Sequence, residues 1–190
     1  MKQAKVLTVA EMKRLLAVIA DERYAERNRA TLMLSHLAGL RVGEIASLSV
    51  SDVMDGEGQV RDQLRLNPSQ TKGGISRTVF VNKRLQREIR RYLEGLPALP
   101  ARETALVPSQ KGGRFSANTL CQLFGELYRK AGIDGATSHS GRRSFITKLA
   151  HSGISAKVIM ELAGHKHLST TQRYIDVNDE MKRAAVEVVV

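Results

Sequence analysis

Six side chains in this sequence could bind an anion or move a proton: Arg41, Lys72, His139, Arg142, His165 and Tyr174. Taken singly, each has an ordinary reading. Arg41 stands three residues before Glu44, the spacing of a common helix-surface ion pair. Lys72 falls in Asn67-Pro68-Ser69-Gln70-Thr71-Lys72-Gly73-Gly74, where a solvated turn lysine is the default. His139 and Arg142 are at i and i+3 around a helix start, where both can face one way and exposed N–H groups favour an anion. His165 follows Gly164 past a helix end, where an imidazole complements the negative end of the dipole. Tyr174 comes after a helix start, beside Arg173. Of the other tyrosines, Tyr128 falls on an apolar face with Phe124, Tyr92 lies in an amphipathic helix, and Tyr24 sits among charges.

Metal and nucleotide chemistry find little support in the pattern. His165-Lys166-His167 has i,i+2 spacing, which does not put both rings on one helix face, and no His-Glu-x-x-His or carboxylate cluster accompanies it. Lys111-Gly112-Gly113-Arg114 lacks the Gly-Lys-Ser/Thr ending of a phosphate-binding loop.

These side chains need a frame, and the composition implies one folded domain. The 190 residues include 30 Lys+Arg against 19 Asp+Glu, a net charge of +11, with 42% hydrophobic residues. Such a chain can bury a real, aliphatic core and does not read as disordered. The excess charge is spread through periodic segments, whereas residues 151–190 are neutral overall, so a polyanion would meet a folded surface and not a basic tail. Four Phe, four Tyr and no Trp argue against base stacking on exposed rings and favour duplex nucleic acid. A single cysteine, Cys121, excludes an internal disulfide and suits a reducing compartment. With no run near the roughly 20 apolar residues of a span and no signal-peptide core, the expectation is a soluble, cytoplasmic protein without a membrane partner.

The periodicity predicts a mainly α fold with a small antiparallel sheet. Thr8-x-x-Glu11 is a capping box opening a helix through Met12, Leu15, Leu16 and Ile19. A second helix spans about 25–38 and closes at Gly39, followed by a short one near 42–48. Strands over 63–66 and 77–81 form a hairpin with Lys72 at its tip. Helices then follow over 83–93, from Ser116 to Gly132, over 141–151, over 155–163, and from a capping box at Ser169-Thr170-Thr171-Gln172. Residues 180–190 form either a helix or a frayed end.

The ordered set Gly39-Leu40-Arg41-Val42-Gly43-Glu44, Thr71-Lys72-Gly73, His139-Ser140-Gly141-Arg142 and Leu162-Ala163-Gly164-His165-Lys166-His167-Leu168-Ser169-Thr170-Thr171-Gln172-Arg173-Tyr174 resembles the catalytic domain of the tyrosine recombinases, or phage-type integrases. The resemblance runs from about Thr8 to Val177. It implies a catalytic domain over 1–177 and a C-terminal tail, 178–190, exchanged with a neighbouring protomer. It also implies a bacterial enzyme that cleaves and rejoins double-stranded DNA as a homotetramer on two sites. In that chemistry Tyr174 is the nucleophile, leaving a 3′-phosphotyrosyl link and a free 5′-hydroxyl. Arg41 and Arg142 stabilise the phosphorane-like charge, as two permanently charged guanidiniums can do without a metal cofactor. His139 is the candidate base, Lys72 the candidate acid, His165 a donor to a non-bridging oxygen, and Glu44 the residue that orients Arg41.

The sequence departs from the family's pattern at Gly141, where leucine is common, and at Arg143, where histidine is frequent. It also carries no N-terminal core-binding domain, so the expectation is either an excised fragment or a stand-alone member. Two other readings stand beside this one. The 154–175 stretch, broken at Gly164, has the look of a helix-turn-helix in a non-catalytic DNA-binding protein, which would leave Arg41, Lys72 and His139 unexplained. A type IB topoisomerase-like nicking and rejoining enzyme would share the chemistry without strand exchange.

Overall fold

Local capping decides where most of the helices begin. A computed structural model describes residues 3–98, 100–175, 177 and 179–189. Helix α1 (Val9–Ala20) opens with the predicted reciprocal cap: Thr8 Oγ1 accepts from the Glu11 amide at 3.2 Å, and the Glu11 carboxylate accepts from the Thr8 amide at 2.9 Å. Helix α2 (Ala25–Ala38) is buried on several sides, including the polar Asn28, Thr31, Ser35 and His36. It ends at Gly39, whose φ of 64° is a left-handed stop that a Cβ would strain.

Helix α3 (Val42–Ser47) and the single turn α4 (Val50–Val53) lead to strands β1 (Gln63–Leu66) and β2 (Arg77–Phe80). The one-turn α4, held by the Asp52 carboxylate on the Ser49 amide at 2.8 Å, was not anticipated. The strands pair antiparallel with Leu64 opposite Val79 and Leu66 opposite Arg77. Leu64, Leu66 and Val79 are buried, so the period of two turns one face of this ribbon onto the core. The long connection contains a 3₁₀ turn at Pro68–Gln70.

Side-chain caps recur at Asn82 for α5 (Lys83–Glu94), at Ser116 for α6 (Ala117–Lys130) and, after α7 (Ser140–His151), at Ser155 for α8 (Ala156–Ala163). Gly164, with φ of 63°, ends α8. Helix α9 (Leu168–Gln172) departs from expectation. It starts two residues early with His167 as its cap, the Ser169 capping box does not form, and Tyr174 lies in the turn beyond. Helix α10 (Asp179–Val186) buries none of its residues and stops short of 190; Asn178 and Val190, the first and last residues of the expected C-terminal tail, lie outside the described residues.

The main core joins α1, α2, α3, the sheet, α5 and α6 in one aliphatic cluster around Phe124 and Tyr128. A smaller cluster, Ile146, Ala150, Ile159 and Ala163, lies between α7 and α8, and Tyr174 packs against it. Helices α2 and α7 approach closely enough that a Cβ on Gly141 would meet the Ser35 hydroxyl and, at 2.8 Å, His36 Cδ2. That contact gives the glycine at this position its reason. Among the described residues, no helix is long and apolar enough to cross a membrane.

Candidate active site

Helix ends and one loop carry the candidate residues to a common surface. Arg41, directly after the Gly39 stop, is tied down three times. Its amide donates to Glu44 Oε2 at 2.8 Å, its Nη1 to Glu44 Oε1 at 2.9 Å, and its Nη2 to the Gly164 carbonyl at 3.2 Å. Glu44 is only 1% exposed and also accepts from Arg77, Nη2 to Oε2 at 2.8 Å and Nε to Oε1 at 3.2 Å. Burial pushes the Glu44 carboxyl up, but the hydrogen bonds and charge of Arg77, then Arg41, win and hold it below the ordinary carboxylate value. Glu44 therefore stays anionic, bonded to both the Arg41 and Arg77 guanidiniums.

Arg142 is buried and bridges two helix ends, donating from Nη1 to the Gly39 carbonyl at 2.6 Å and from Nη2 to the Ala163 carbonyl. Desolvation and then the neighbouring Arg41 push the guanidinium down to about 9, which leaves it cationic at neutral pH. His165 is half-buried, with Nδ1 2.8 Å from Thr171 Oγ1. Burial, followed by Arg142, Arg41 and Arg77, lowers its imidazole to about 4, so the ring is neutral at neutral pH. Its plane stacks on Tyr174 at 5.8 Å between centroids and 21° between planes. The Arg143 guanidinium stands 5.8 Å from the centre of the same tyrosine ring.

Two adjoining clefts divide these groups. One, of about 480 Å³, is lined by Arg41, Lys72, Arg77, His165, Lys166 and Thr170 among others. The second, of about 450 Å³, is lined by His139, Arg143, Arg173, Tyr174 and again Thr170. Among the described residues, no carboxylate lines either cleft. The structure thus brings Arg41, Lys72 and His165 together, puts exposed His139 beside Tyr174, and sets Arg142 behind them. The His165–Tyr174 stack joins the two halves.

Arg77, which the sequence reading did not single out, anchors this arrangement. Besides Glu44 it reaches the Leu162 carbonyl at 3.0 Å, tying β2 to the end of α8. A signal for it existed: in the hairpin register Arg77 pairs with Leu66, so a guanidinium occupies the apolar face of the ribbon. Among the described residues, no three His, Cys, Asp or Glu side chains gather to hold a metal ion.

The sequence profile of the phage integrase family matches residues 5–181. The chain belongs to that family. Among curated members of this integrase family it is 37% identical to the tyrosine recombinase XerA of Thermococcus kodakarensis, over 96% of this chain and 62% of that protein. Against the tyrosine recombinase XerC of Vibrio cholerae it is 33% identical, over 90% of this chain and 53% of that protein. A crystal structure of a XerA recombinase superposes with a TM-score of 0.76 at 25% identity, covering 97% of this chain and 63% of that one. The Tn1549 transposon integrase in complex with circular intermediate DNA shares the fold, with a TM-score of 0.75 at 20% identity over 100% of this chain and 68% of its own. The chain spans about 60% of the length of the XerA relatives it matches. The mainly helical integrase catalytic fold is thereby established.

Proposed function

We propose that this protein is a site-specific DNA recombinase that cleaves and rejoins duplex DNA through a 3′-phosphotyrosyl intermediate. The observation that carries the reading is the junction of the two clefts, where the Tyr174 ring stacks on a neutral His165 that itself shares a cleft with Arg41 and Lys72. A phosphodiester at that junction would meet Arg41 with Arg142 behind it, and their charge counters the second negative charge that develops on the non-bridging oxygens. In the tautomer in which Thr171 donates to Nδ1, His165 Nε2–H is free to donate to one of those oxygens. Tyr174 Oη forms the bond to phosphorus as the phosphorus–O5′ bond breaks. The phenol proton passes to His139, and O5′ takes a proton from Lys72. Bond energy is kept in the phosphotyrosine, so attack by a 5′-hydroxyl reseals the strand without a nucleotide cofactor.

The same reading assigns residues 1–177 to the catalytic domain and 178–190 to a segment exchanged within a homotetramer on two DNA sites. Helix α10, with no residue buried, and the exposed Val186, Val188 and Val189 support that assignment. The λ integrase dimer and the XerH recombinase in similar solved structures are bound to DNA sites, which supports duplex DNA as the partner here, in a bacterial cytoplasm.

The test uses a duplex selected from a random-sequence pool by covalent capture, nicked near the cleavage position and incubated with the protein in EDTA. The expected product is an SDS-resistant protein–DNA adduct that is absent with Tyr174→Phe. An adduct that survives this change, or that forms only with Mg²⁺, would overturn the mechanism. Relaxation of supercoiled plasmid without exchange between two sites would favour the topoisomerase-like reading.

A further inference from the structure

Lys166 has no assigned part in the chemistry, yet it occupies the wall facing Lys72. We propose that Lys166 is a positioning residue for Lys72: its side chain covers Gly73 and seats the hairpin tip over the phosphodiester. The proposal rests on the reading of Lys72 as the acid that protonates the leaving oxygen.

The loop carrying Lys72 is fixed at its root and free at its tip. At the root, Gln70 Nε2 donates to Asp52 at 3.0 Å, and Thr71 Oγ1 closes the turn by accepting from the Ile75 amide at 3.1 Å and donating to the Ile75 carbonyl at 2.9 Å. Beyond Thr71 the residues from Lys72 to Ser76 are all exposed, so little from the core holds the tip. Across the cleft the turn bearing Lys166 is firm. The preceding His165 is bonded to Thr171, and the carbonyl of the following His167 accepts from the Thr170 amide at 3.1 Å.

Lys166 spans the gap between these two turns. A Cβ on Gly73 would lie 2.9 Å from Lys166 Cε and 3.4 Å from Nζ, so the end of the lysine stem already fills the place of a side chain there. Gly73 does not need its glycine for backbone reasons, since its φ is not positive. Among the described residues, neither Lys72 nor Lys166 has an ion-pair or hydrogen-bond partner, and both line the cleft that holds Arg41 and His165. Apolar contact by a lysine stem, with the ammonium left in the cleft, is the ordinary way such a side chain covers a surface. Delivery of a proton tolerates little misplacement, because a shift of about 1 Å can cost on the order of 100-fold in rate.

The leaving group separates positioning from binding. A thiol ionises near pH 8.5, so a sulfur in place of the scissile O5′ departs without an acid. The selected nicked duplex is therefore made with oxygen or with sulfur at that bridging position, and adduct formation is timed for the full chain. Lys72→Ala should slow the oxygen duplex by on the order of 100-fold or more and be restored by sulfur. Lys166→Ala should slow oxygen cleavage by about 10-fold or more, also restored by sulfur. Lys166→Met, which keeps the stem, should stay within about threefold of the unaltered protein on both duplexes. Gly73→Ala, which displaces the lysine end without removing either charge, should share the defect of Lys166→Ala to a smaller degree. If Lys166→Ala is equally slow, or unimpaired, on both duplexes, the inference fails while Lys72 keeps its role. A Lys166→Met variant as slow as Lys166→Ala overturns seating by the stem. Should sulfur fail to restore Lys72→Ala, the acid assignment falls and takes the inference with it.

Discussion

Arg77 on β2 and Glu44 on α3 form a 2.8 Å ion pair around a carboxylate that is only 1% exposed. Removing the guanidinium would leave this buried charge with Arg41 as its one remaining ion-pair partner, and breaking buried pairs by removing one partner costs up to about 3–5 kcal/mol. Arg77→Met should therefore destabilise strongly in urea unfolding and weaken cleavage through loss of Arg41 orientation. Glu44→Gln leaves no stranded anion and should cost less stability. The sign with pH follows from the lowered Glu44 carboxyl: its contribution is full above the usual carboxylate range and disappears as pH falls through and below it. Equal stability of Arg77→Met and the unaltered protein would remove the strut.

A second pH effect belongs to His36. Burial, with Lys148 adding to it, lowers this imidazole from its ordinary 6.5 to about 3. The neutral ring is held in α2, with Nε2 3.3 Å from the Tyr128 hydroxyl. Because the unfolded chain takes up the proton first, stability is complete above about 6.5 and falls as pH drops towards 3, with a slope of up to about 1.4 kcal/mol per unit. His165, lowered to about 4, acts in the same direction with solvent screening its exposed half. Urea midpoints at pH 7, 6 and 5 should show a shallower slope in His36→Leu than in the unaltered chain. An unchanged slope would contradict a neutral buried His36.

Much of this architecture is legible in the residues. Thr8 and Glu11, Ser116, Ser155, Gly39 and Gly164 mark helix ends because capping and left-handed stops are local, decided within a few positions. Ser169 misleads because its local capping pattern competes with the extended backbone of His167, set by the His165–Thr171 bond and the packing of α8 on α9. The cations Arg41, Lys72 and Arg142 could be chosen by their order along the chain. Arg143 and Lys166 could not, since their roles depend on α7 and the α8–α9 turn meeting other elements across long sequence separations, and Arg77 left only its register opposite Leu66 as a sign.

Gly141 offers a test of how tightly α7 fits α2. A methyl there would meet Ser35 and His36, and overpacking of this kind costs about 1–3 kcal/mol. Gly141→Ala should be destabilised, and Ser35→Gly should recover part of the loss in a double-mutant cycle, because the two sites touch. Strict additivity of the two changes would show that the helices separate freely at this point.

Arg142→Lys probes the deepest cation. Arg142 donates to both the Gly39 and Ala163 carbonyls, so it fixes the ends of α2 and α8, and in the proposed reaction its charge also acts on the phosphate. A lysine keeps one positive charge but not the planar fork, so it cannot hold both carbonyls and still aim donors at a phosphate. Adduct formation on the selected nicked duplex should fall by about 100-fold or more. Duplex binding, carried by the many other Lys and Arg residues through phosphate contacts, should change little and keep its dependence on salt. Cleavage at the unaltered rate would show that the guanidinium serves only the two helix ends.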